Sequence, residues 1–533
     1  MSDTLFTLIL WLAPCVAAVP AAKGLVHVFQ LSSYQFGGYL AALKRRWRQE
    51  MLPGLLLAVG SFALCAGADY ASRAGSPWLM LVAALLTLAL GIALGLLFHR
   101  GHKSIKRLHY TSRVKRLFAV LAVVMVALGL GLRAVAPIMG LSCVLPLFLP
   151  LWLALAALLV FPLEHFVKKL FERDAMRQLD AQEGLIRIGI TGSYGKTSVK
   201  FFLAALLRQR YSVLATRSSF NTPMGITRSV REDLEPAHRV FIAEMGARHR
   251  HDIRQLCRLV RPQIGVLTAV GPQHLETFGS LERVRDTKYD LIRALPKDGY
   301  AVFFNDGGIC LELYQQTALP KAIVGKPEDD LWAEDLQLDF EGSRFTLCFK
   351  DGTRLKCQTQ LCGQHNINNL LLAAAVARRL GLTDAQLQHG IAQAEPVQAR
   401  LKPEKQPDGS VLINNGFNTN PESSRAALAV LAGYDGRKVV ITPGYVELGA
   451  QQAEYHRQMG EHIAAVADLV LLVGPKRTLP IKQGLENAGF NAENIHTFVS
   501  LQEAQSWMDS HTLPGDIILY ENDLPDQYSE ALA

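Results

Sequence analysis

The segment from Ile188 to Ser198 carries the residue types that phosphate chemistry requires. It reads IGITGSYGKTS, in which the apolar lead-in predicts a buried strand and the last residues predict the start of a helix. Loop N–H groups, the helix N-terminus and Lys196 would direct positive charge at a phosphate. The hydroxyl of Thr197 suits a phosphate-bound Mg²⁺. We therefore predict a phosphate-binding loop of the short form T-G-x-x-G-K-T-[ST].

Three further residues that could support this chemistry follow later in the chain. Glu244 ends a β-rich run, His274 follows the next one, and Lys288 lies in a helical pattern. Singly they are ordinary: a capping carboxylate, a loop histidine and a solvated lysine. Because open parallel sheets bind ligands at the carboxyl ends of their strands, the carboxylate and the imidazole become candidate Mg²⁺ ligands beside the loop.

The composition separates a membrane region from a soluble remainder. The chain has 533 residues, a net charge of +8 and a mean hydropathy of +0.15, which is high for a soluble protein. The first 180 residues hold 18 of the 55 basic and 7 of the 47 acidic residues. The basic excess thus belongs to the membrane region, and nucleic acid is not an expected partner. The eight cysteines show no metal-ligand spacing, which indicates a reducing compartment.

Five apolar runs in the first third approach the roughly 20 residues that a membrane-spanning helix needs. Connections Lys23–Glu50 and His99–Arg116 are rich in lysine and arginine, whereas the alternate connections are not. By the positive-inside rule, the N-terminus is expected outside and everything after Phe161 in the cytoplasm. The first run lacks a basic n-region, which favours an anchor over a signal peptide. The runs are Leu5–Ala22, Met51–Ala68, Pro77–Phe98, Leu117–Ala134 and Ile138–Phe161.

The rest of the chain alternates β-rich runs with helical patterns, which predicts a parallel sheet covered on both faces. An amphipathic helix over 166–183 is expected to connect it to the last span. Alternating residues around Asp351-Gly352 predict a hairpin in a small β insertion. The runs are Leu185–Ile190, Ser212–Thr216, Val240–Ala243, Ile264–Val270 and Ala301–Phe304, then Val411–Ile413, Lys438–Ile441, Leu469–Val473 and Ile517–Tyr520. The predicted fold class is an α-helical transmembrane region followed by α/β.

Several long segments resemble the Mur ligase family, and within it the D-alanyl-D-alanine-adding branch, MurF. They run in the family's order from about Gly184 to Tyr520: TGSYGKTS, SSFNTPMGIT, IAEMGARHRHDI, TAVGPQHLETFGSLERVRDTKYDLI, CGQHNINNLLLAAAVARRLGL, NNGFNTNP and TPGYVELGAQQAEYH. The resemblance implies a central P-loop ATP-binding domain at 184–396 and a Rossmann-like C-terminal domain at 397–533. A transmembrane region at 1–165 and the connecting helix would precede them.

The resemblance also implies roles for single residues. Lys196 would hold the β- and γ-phosphates, and Thr197 with Glu244 would bind one Mg²⁺. His274 would help to bind a second Mg²⁺ with Lys288, which would carry a carbamate derived from CO₂. A carbamate is an anionic oxygen ligand, which a plain ammonium cannot be. The implied ATP contacts are Thr191, Gly192, Ser193, Tyr194, Gly195, Lys196, Thr197, Ser198, Asn305, His365, Asn368 and Arg400, and the implied substrate contacts are Asn221, Thr222 and Asn418.

The implied reaction has two steps. A substrate carboxylate attacks the γ-phosphate of ATP to give an acyl phosphate and ADP, and an amine then displaces phosphate to form an amide. The expected partners are a carboxylate-bearing cell-envelope precursor, soluble or lipid-linked, and an amino acid, dipeptide or other amine. The expected location is the bacterial cytoplasmic membrane, crossed several times, with the catalytic domains in the cytoplasm.

Three departures from the family pattern bear on the substrates. The predicted spans stand where the family has a sugar-nucleotide-binding domain. Asn414 and Asn415 replace an acidic pair, and the acidic, aromatic segment Tyr520–Tyr528 replaces a basic one. The reversed charge predicts a cationic or neutral second substrate, and the membrane region favours a lipid-linked first substrate.

Other functions stay open at this point. A poly-γ-glutamate synthase-like ligase would share the loop and the anchor, although EMGA and VELG favour the MurF branch. A non-catalytic ATP-binding scaffold for envelope synthesis would fit the change at Asn414-Asn415, although Lys196, Glu244 and His274 remain. A transporter is disfavoured because the predicted spans hold almost no ionisable residues.

Overall fold

The computed structural model of the chain describes residues 2–32, 34–45, 47–74, 76–100, 108–138, 140–339, 342–397, 401–417 and 419–524. The predicted ligand contacts Arg400 and Asn418 lie outside these residues, as does the acidic tail after Leu524. The chain divides into two compact units, the first ending at Lys169 and the second beginning at Leu170. Each unit is described by itself.

The first unit is built from apolar helices. Within the described residues, five helical stretches are long and apolar enough to span a membrane, and each overlaps one predicted run. The stretches are Thr4–Leu31, Trp47–Arg73, Leu79–Phe98, Ser112–Val135 and Leu141–Ala181. The helices are α1 (Ser2–Ala21), α2 (Lys23–Leu31), α3 (Phe36–Arg45), α4 (Trp47–Arg73), α5 (Leu79–Arg100), α6 (Ser112–Val135) and α7 (Leu149–Ala181). The predicted connecting helix is the last part of α7.

Helices α1 and α5 pack closely because small residues face the contact. A Cβ atom at Gly91 would stand 2.2 Å from the carbonyl oxygen of Ala17, and one at Gly95 would stand 2.1 Å from that of Pro20. Lipid tails are as apolar as leucine, so the hydrophobic effect does not drive helices together within a membrane. Helices there associate instead through close van der Waals packing of this kind.

The second unit begins with a mixed nine-stranded sheet in the order β2-β3-β1-β4-β5-β6-β7-β8-β9. Strands β1 to β6 pair in parallel, β7 continues in parallel beside β6, and β8 is antiparallel to both β7 and β9. The strands are β1 (Ile186–Thr191), β2 (Val213–Ala215), β3 (Val240–Glu244), β4 (Ile264–Leu267), β5 (Tyr300–Phe304), β6 (Lys321–Val324), β7 (Leu331–Asp339), β8 (Gly342–Phe349) and β9 (Arg354–Thr359).

The predicted β insertion differs from the expectation in one respect. Its hairpin, β8 and β9, turns at Asp351-Gly352 as predicted, and Gly352 has φ +89°. However, Val324 of β6 pairs with Leu331 of β7, so the insertion continues the main sheet instead of forming a separate one. Such pairing depends on neighbours in space, which the alternation of residues along one strand does not specify.

Helices cover both faces of this sheet. Ile188 and Ile190 of β1 belong to the core on one face, whereas Phe241 and Ala243 of β3 belong to the core on the other. The predicted two-faced burial is therefore observed. The helices are α8 (Lys196–Leu207), α9 (Pro223–Asp233), α10 (Asp252–Val260), α11 (Leu275–Phe278), α12 (Leu281–Arg293), α13 (Ile309–Gln316), α14 (Gln364–Arg379) and α15 (Asp384–Ala392).

A second, six-stranded sheet follows in the order β10-β11-β15-β12-β13-β14, parallel except for β10. Its strands are β10 (Lys402–Lys405), β11 (Val411–Phe417), β12 (Lys438–Thr442), β13 (Leu469–Val473), β14 (Ile495–Phe498) and β15 (Ile517–Asp523). Its helices are α16 (Pro421–Ala432), α17 (Gln452–Ala464), α18 (Leu479–Asn487) and α19 (Leu501–Asp509). The four predicted strands are present, and the edge strands β10 and β14 were not predicted.

Candidate active site

The carboxyl ends of four neighbouring strands of the first sheet lie at one edge. β1 ends at Thr191, and its residue Ile190 pairs with Glu244, the last residue of β3. On the other side, Thr191 pairs with Leu267 of β4, whose continuation leads to His274, while Asn305 directly follows β5. The sequence-predicted residues from separate motifs are therefore placed at the edge where open α/β sheets bind ligands.

The loop after β1 depends on its two glycines. A Cβ at Gly192 would stand 2.0 Å from Oγ1 of Thr268, and one at Gly195 would stand 2.4 Å from Oδ1 of Asn369. Gly195 has φ +79° and begins α8 without a capping side chain. The loop thus turns tightly into a helix whose N-terminal end lacks a side-chain cap, an arrangement that favours anions.

Lys196 folds back over this loop. Its Nζ donates to the carbonyl oxygens of Gly192 at 2.6 Å and Ser193 at 3.0 Å. Ser193 is itself fixed, because its N–H donates to Ala269 at 2.7 Å and its hydroxyl bonds the backbone of Gly271. The ammonium of Lys196 therefore already lies beside the loop in which a phosphate would bind.

The remaining predicted loop residues support its shape. The Thr191 hydroxyl donates to the carbonyl of Met245 at 2.9 Å. Tyr194 lies so close to Gly271 that a Cβ there would stand 1.3 Å from the phenol oxygen. Thr197 and Ser198 are buried in the first turn of α8.

Glu244 forms a buried ion pair that the sequence did not indicate. Nζ of Lys200, a fully buried residue of α8, lies 3.1 Å from its Oε2. Nδ2 of Asn221 donates to its Oε1 at 3.2 Å. Burial by itself raises the pKa of Glu244, but Lys200 and Lys196 outweigh it and the net shift is downward. The carboxylate is therefore ionised near neutral pH, as a metal ligand must be.

Lys288 of α12 contacts the backbone of the glycine loop. Its Nζ donates to the carbonyl of Gly192 at 2.8 Å, and the side chain is 1% exposed. Burial, with a smaller contribution from Lys196, lowers its pKa well below the usual lysine value. The amine is therefore held toward its neutral, nucleophilic form.

His274 contacts a second residue that sequence reasoning did not single out. Its Nδ1 hydrogen-bonds Oε2 of Glu447, which lies in the loop after β12. Arg248 Nη2 lies 3.9 Å from the other carboxylate oxygen. Burial lowers the pKa of His274, although Glu447 opposes the shift. Glu447 belongs to the VELG motif, but no residue close to it in sequence indicated a contact with His274.

The residues predicted on the nucleoside side are more dispersed. Asn305 is buried; its amide donates to Oδ1 of Asp329 at 2.9 Å. His365 lies in the first turn of α14, where burial lowers its pKa to about 4. Asn368 accepts from Gln364 at 3.1 Å.

Thr222, a predicted substrate contact, caps α9 by accepting from the N–H of Gly225. It therefore has a structural role in addition to the predicted one.

Within the part of the chain that the structure describes, no group of three or more His, Cys, Asp or Glu side chains is placed to hold a metal ion. The candidate set instead mixes types: the Thr197 hydroxyl, the Glu244 carboxylate, the His274 imidazole and the Lys288 amine. The charge of Lys196 lowers the pKa of both Glu244 and Lys288, and the charge of Lys288 lowers the pKa of His274. These groups are therefore close enough to interact electrostatically.

Comparison with known proteins identifies the family. Residues 190–377 match the Mur ligase middle domain, and residues 399–520 match the glutamate ligase domain of Mur ligases. The UDP-N-acetylmuramoyl-tripeptide--D-alanyl-D-alanine ligase of Synechocystis is 30% identical over 337 residues, which are 63% of this chain and 71% of that protein. The chain belongs to the Mur ligase family.

Other relatives delimit the match. The ligase of the same name from Haemophilus influenzae is 32% identical over 54% of this Mur ligase chain and 63% of its own length, and that from Escherichia coli is 33% identical over 54% and 64%. The chain thus spans less than two thirds of these relatives. A crystal structure of MurF from Acinetobacter baumannii has a TM-score of 0.62 at 24% identity and covers 68% of this chain and 79% of its own, which shows a common fold.

Proposed function

We propose that this Mur ligase is an ATP-dependent, ADP-forming ligase that joins a carboxylate of a cell-envelope precursor to an amine. The observation that carries the proposal is the convergence of Lys196, Glu244, His274 and Lys288 around one glycine loop at a sheet edge. Each comes from a different segment, and together they supply the cation and the metal ligands that phosphoryl transfer needs.

ATP would bind with its phosphates in the loop. Backbone N–H groups at the start of α8 and the ammonium of Lys196 would hold the β- and γ-phosphates. Asn305, His365 and Asn368 are proposed on the nucleoside side, with Arg400. The half-buried imidazole of His365, whose pKa is lowered to about 4, is neutral and can offer both a donor and an acceptor nitrogen. Asn221, Thr222 and Asn418 are proposed to contact the first substrate.

The ionisation states fit the two proposed Mg²⁺ sites. Glu244 is ionised, and His274 is neutral with Nδ1 engaged, which leaves Nε2 for a metal. Thr197 and Glu244 would hold one ion. His274 and a carbamate on Lys288 would hold the other, because the lowered pKa of Lys288 favours the neutral amine, the form that adds CO₂. Bound Mg²⁺ supplies charge neutralisation at the phosphoryl oxygens.

The proposed reaction balances in two steps. A carboxylate oxygen forms a bond to the γ-phosphorus while the bond to the β–γ bridging oxygen breaks, and ADP leaves with that electron pair. The amine nitrogen then bonds the acyl carbon, phosphate leaves with the C–O electron pair, and the amine releases a proton. Lys196 would stabilise the transferring charge, and the contact of the Glu447 loop with His274 would help to exclude water from the acyl phosphate.

The membrane region bears on the first substrate. We propose that the five apolar stretches cross the bacterial cytoplasmic membrane, with the ligase domains, 184–396 and 397–533, on the cytoplasmic side. This location favours a lipid-linked, peptidoglycan-like precursor over the soluble nucleotide-linked substrate in the names of the relatives. The amine is an amino acid, a dipeptide or another amine.

The test is ADP release by the full chain, purified in detergent. Soluble and lipid-linked muramoyl peptides are each presented with and without candidate amines, beside Lys196→Ala and the matched control Lys297→Ala, which removes an exposed lysine. We expect release that requires one peptide and one amine, survives in Lys297→Ala and is lost in Lys196→Ala.

Two outcomes would overturn this proposal. Polymer formed from glutamate and ATP alone would support a poly-γ-glutamate synthase. Bound ATP with no ADP release across the panel would support the non-catalytic scaffold. Turnover with nucleotide-linked but not lipid-linked peptides would reject only the lipid-linked substrate.

A further inference from the structure

Four consecutive basic residues follow β3, in a turn to which the site described above assigns no role. The turn begins four residues after Glu244, the last residue of β3, and ends where α10 begins. All four residues are exposed. We define them as the RHRH turn: Arg248, His249, Arg250 and His251.

The backbone of the RHRH turn is fixed by its neighbours. The carboxylate of Asp252 accepts the N–H of Arg248 at 2.9 Å and that of His249 at 2.8 Å. The hydroxyl of Thr277 donates to the carbonyl of Arg248 at 2.6 Å. His251 ends the turn in the left-handed region, with φ +71°. Because the backbone is already ordered, a ligand of the turn would not have to meet the entropic cost of ordering a loop.

The positive charge of the turn is only partly compensated. Nη2 of Arg248 lies 3.9 Å from Oε1 of Glu447, and Nδ1 of His249 lies 3.8 Å from Oδ2 of Asp252. The side chains of the other two residues have neither a hydrogen bond nor an ion pair within the described part of the chain. One of these two is Arg250, whose guanidinium stays protonated at any physiological pH. Since like charges repel, a bound anion would relieve the repulsion within the turn.

The turn borders the candidate active site. Glu447, the acidic neighbour of Arg248, hydrogen-bonds His274, and the charge of Arg248 lowers the pKa of His274. The hydroxyl of Thr277, which fixes the turn, belongs to α11, the helix that follows His274. The four residues from Glu244 to Arg248 span at most about 14 Å. An anion held by the turn would therefore lie close to the proposed metal ligands.

We propose that the RHRH turn binds an anionic group of the first substrate other than the carboxylate that reacts. The inference rests on the proposed function, because it takes the carboxylate-bearing precursor as the occupant. The bound group is a carboxylate or a phosphate, since a guanidinium binds the oxygens of either through two parallel N–H···O bonds. The imidazoles of His249 and His251 can each donate a further N–H. The precursor would therefore carry at least two anionic groups.

The experiment titrates two anions in separate arms: inorganic phosphate and glutarate, a dicarboxylate. The full chain is kept in detergent at constant ionic strength, with Mg²⁺ and a saturating non-hydrolysable ATP analogue, so that the glycine loop is already filled. The thermal unfolding temperature reports binding. Arg250→Ala is compared with Arg250→Lys, which keeps the charge, and with Arg258→Ala, which removes an exposed arginine near the other end of α10.

We expect at least one anion to stabilise the wild type and Arg258→Ala saturably. Its affinity should be about 10–100-fold weaker in Arg250→Ala, because a hydrogen-bonded charge pair is lost, and intermediate in Arg250→Lys. Stabilisation by phosphate alone would assign a phosphate group, and stabilisation by glutarate alone would assign a carboxylate. If both anions bind, muramoyl peptides with free or amidated non-reacting carboxylates separate the two sources. Saturable stabilisation by neither anion, or equal affinity in the wild type and Arg250→Ala, would overturn the inference.

ADP release distinguishes this inference from the proposed function. The KM for the peptide should rise in Arg250→Ala but not in Arg258→Ala. ADP release with an unchanged KM in Arg250→Ala would reject the turn as a substrate site and leave the ligase. Anion binding that depends on Arg250, without ADP release across the panel, would count against the proposed function and leave the anion site.

Discussion

Nδ1 of His274 hydrogen-bonds Oε2 of Glu447, although the two residues are 173 positions apart and follow strands of different sheets. Both backbones are in the left-handed region, with φ +52° and +63°, and the carbonyl of Glu447 also accepts the N–H of Glu276 at 3.2 Å. A carboxylate that accepts from Nδ1 leaves the Nε2 lone pair free, so Glu447 would orient the imidazole for the Mg²⁺ site that we propose. The loop after β12 thus completes a site on the first sheet.

Loss of Glu447 should weaken metal binding. In Glu447→Ala the imidazole loses its orienting partner, and partners of this kind change metal affinity by about 10–100-fold. The measurement is a Mn²⁺ titration followed by electron paramagnetic resonance, in the presence of a non-hydrolysable ATP analogue. Glu461→Ala, which removes an exposed glutamate of the same domain, should bind like the wild type. Equal Mn²⁺ affinity in all three proteins would show that Glu447 does not position His274.

Lys288 should react with CO₂. Burial and Lys196 lower its pKa well below that of an ordinary lysine, which favours the neutral amine that adds CO₂, and the product carbamate would be an anionic ligand. With ¹³C-labelled bicarbonate, a carbamate resonance should appear in the ¹³C spectrum of the wild type and of Lys297→Ala but not of Lys288→Ala. ADP release should fall in Lys288→Ala and recover in part with added short-chain carboxylates. A resonance that survives in Lys288→Ala would assign the carbamate elsewhere.

Local pattern predicted the glycine loop, most parallel strands and the apolar spans, because each depends on residues close in sequence. Glu244 and His274 followed from one further rule, that ligands bind at the carboxyl ends of strands, whereas Asn305 followed from the family resemblance alone. Long-range pairing was not predictable in this way. Lys200 has the spacing of an ordinary helix residue, and only the fold places it against Glu244.

The same limit explains what was missed in the second sheet. The edge strands β10, with sequence KPEK, and β14, with sequence IHTF, are short and lack a buried, alternating face. From the sequence, Glu521 was notable only as a negative charge in a segment where the family has basic residues. Its burial against Asn415 depends on the register of β11 with β15, which joins residues 106 positions apart.

Removing Lys200 should destabilise the fold strongly. Its ammonium lies within the core, paired with Glu244 and with the carbonyl of Ser218, so Lys200→Met leaves a buried carboxylate without its ion-pair partner. Breaking such a pair costs about 3–5 kcal/mol. The double variant Lys200→Met/Glu244→Gln, without a buried charge, should regain much of the lost unfolding temperature. The exposed Lys482–Glu486 pair is the control: Lys482→Met should cost under about 1 kcal/mol. Similar unfolding temperatures for the two single variants would contradict this account.

Glu521 should make stability fall as pH rises. Its pKa is about 7 in the folded chain and 4.5 for a free glutamate, so between these values the folded state binds a proton that the unfolded state has released. The free energy of unfolding therefore decreases as pH rises from about 4.5 to 7, by about 3 kcal/mol in total, and then levels off. Glu521→Gln does not titrate, so its unfolding temperature should gain on that of the wild type across this window, whereas Glu486→Gln should follow the wild type. Parallel curves for Glu521→Gln and the wild type would show that the pKa of Glu521 is not raised in the folded chain.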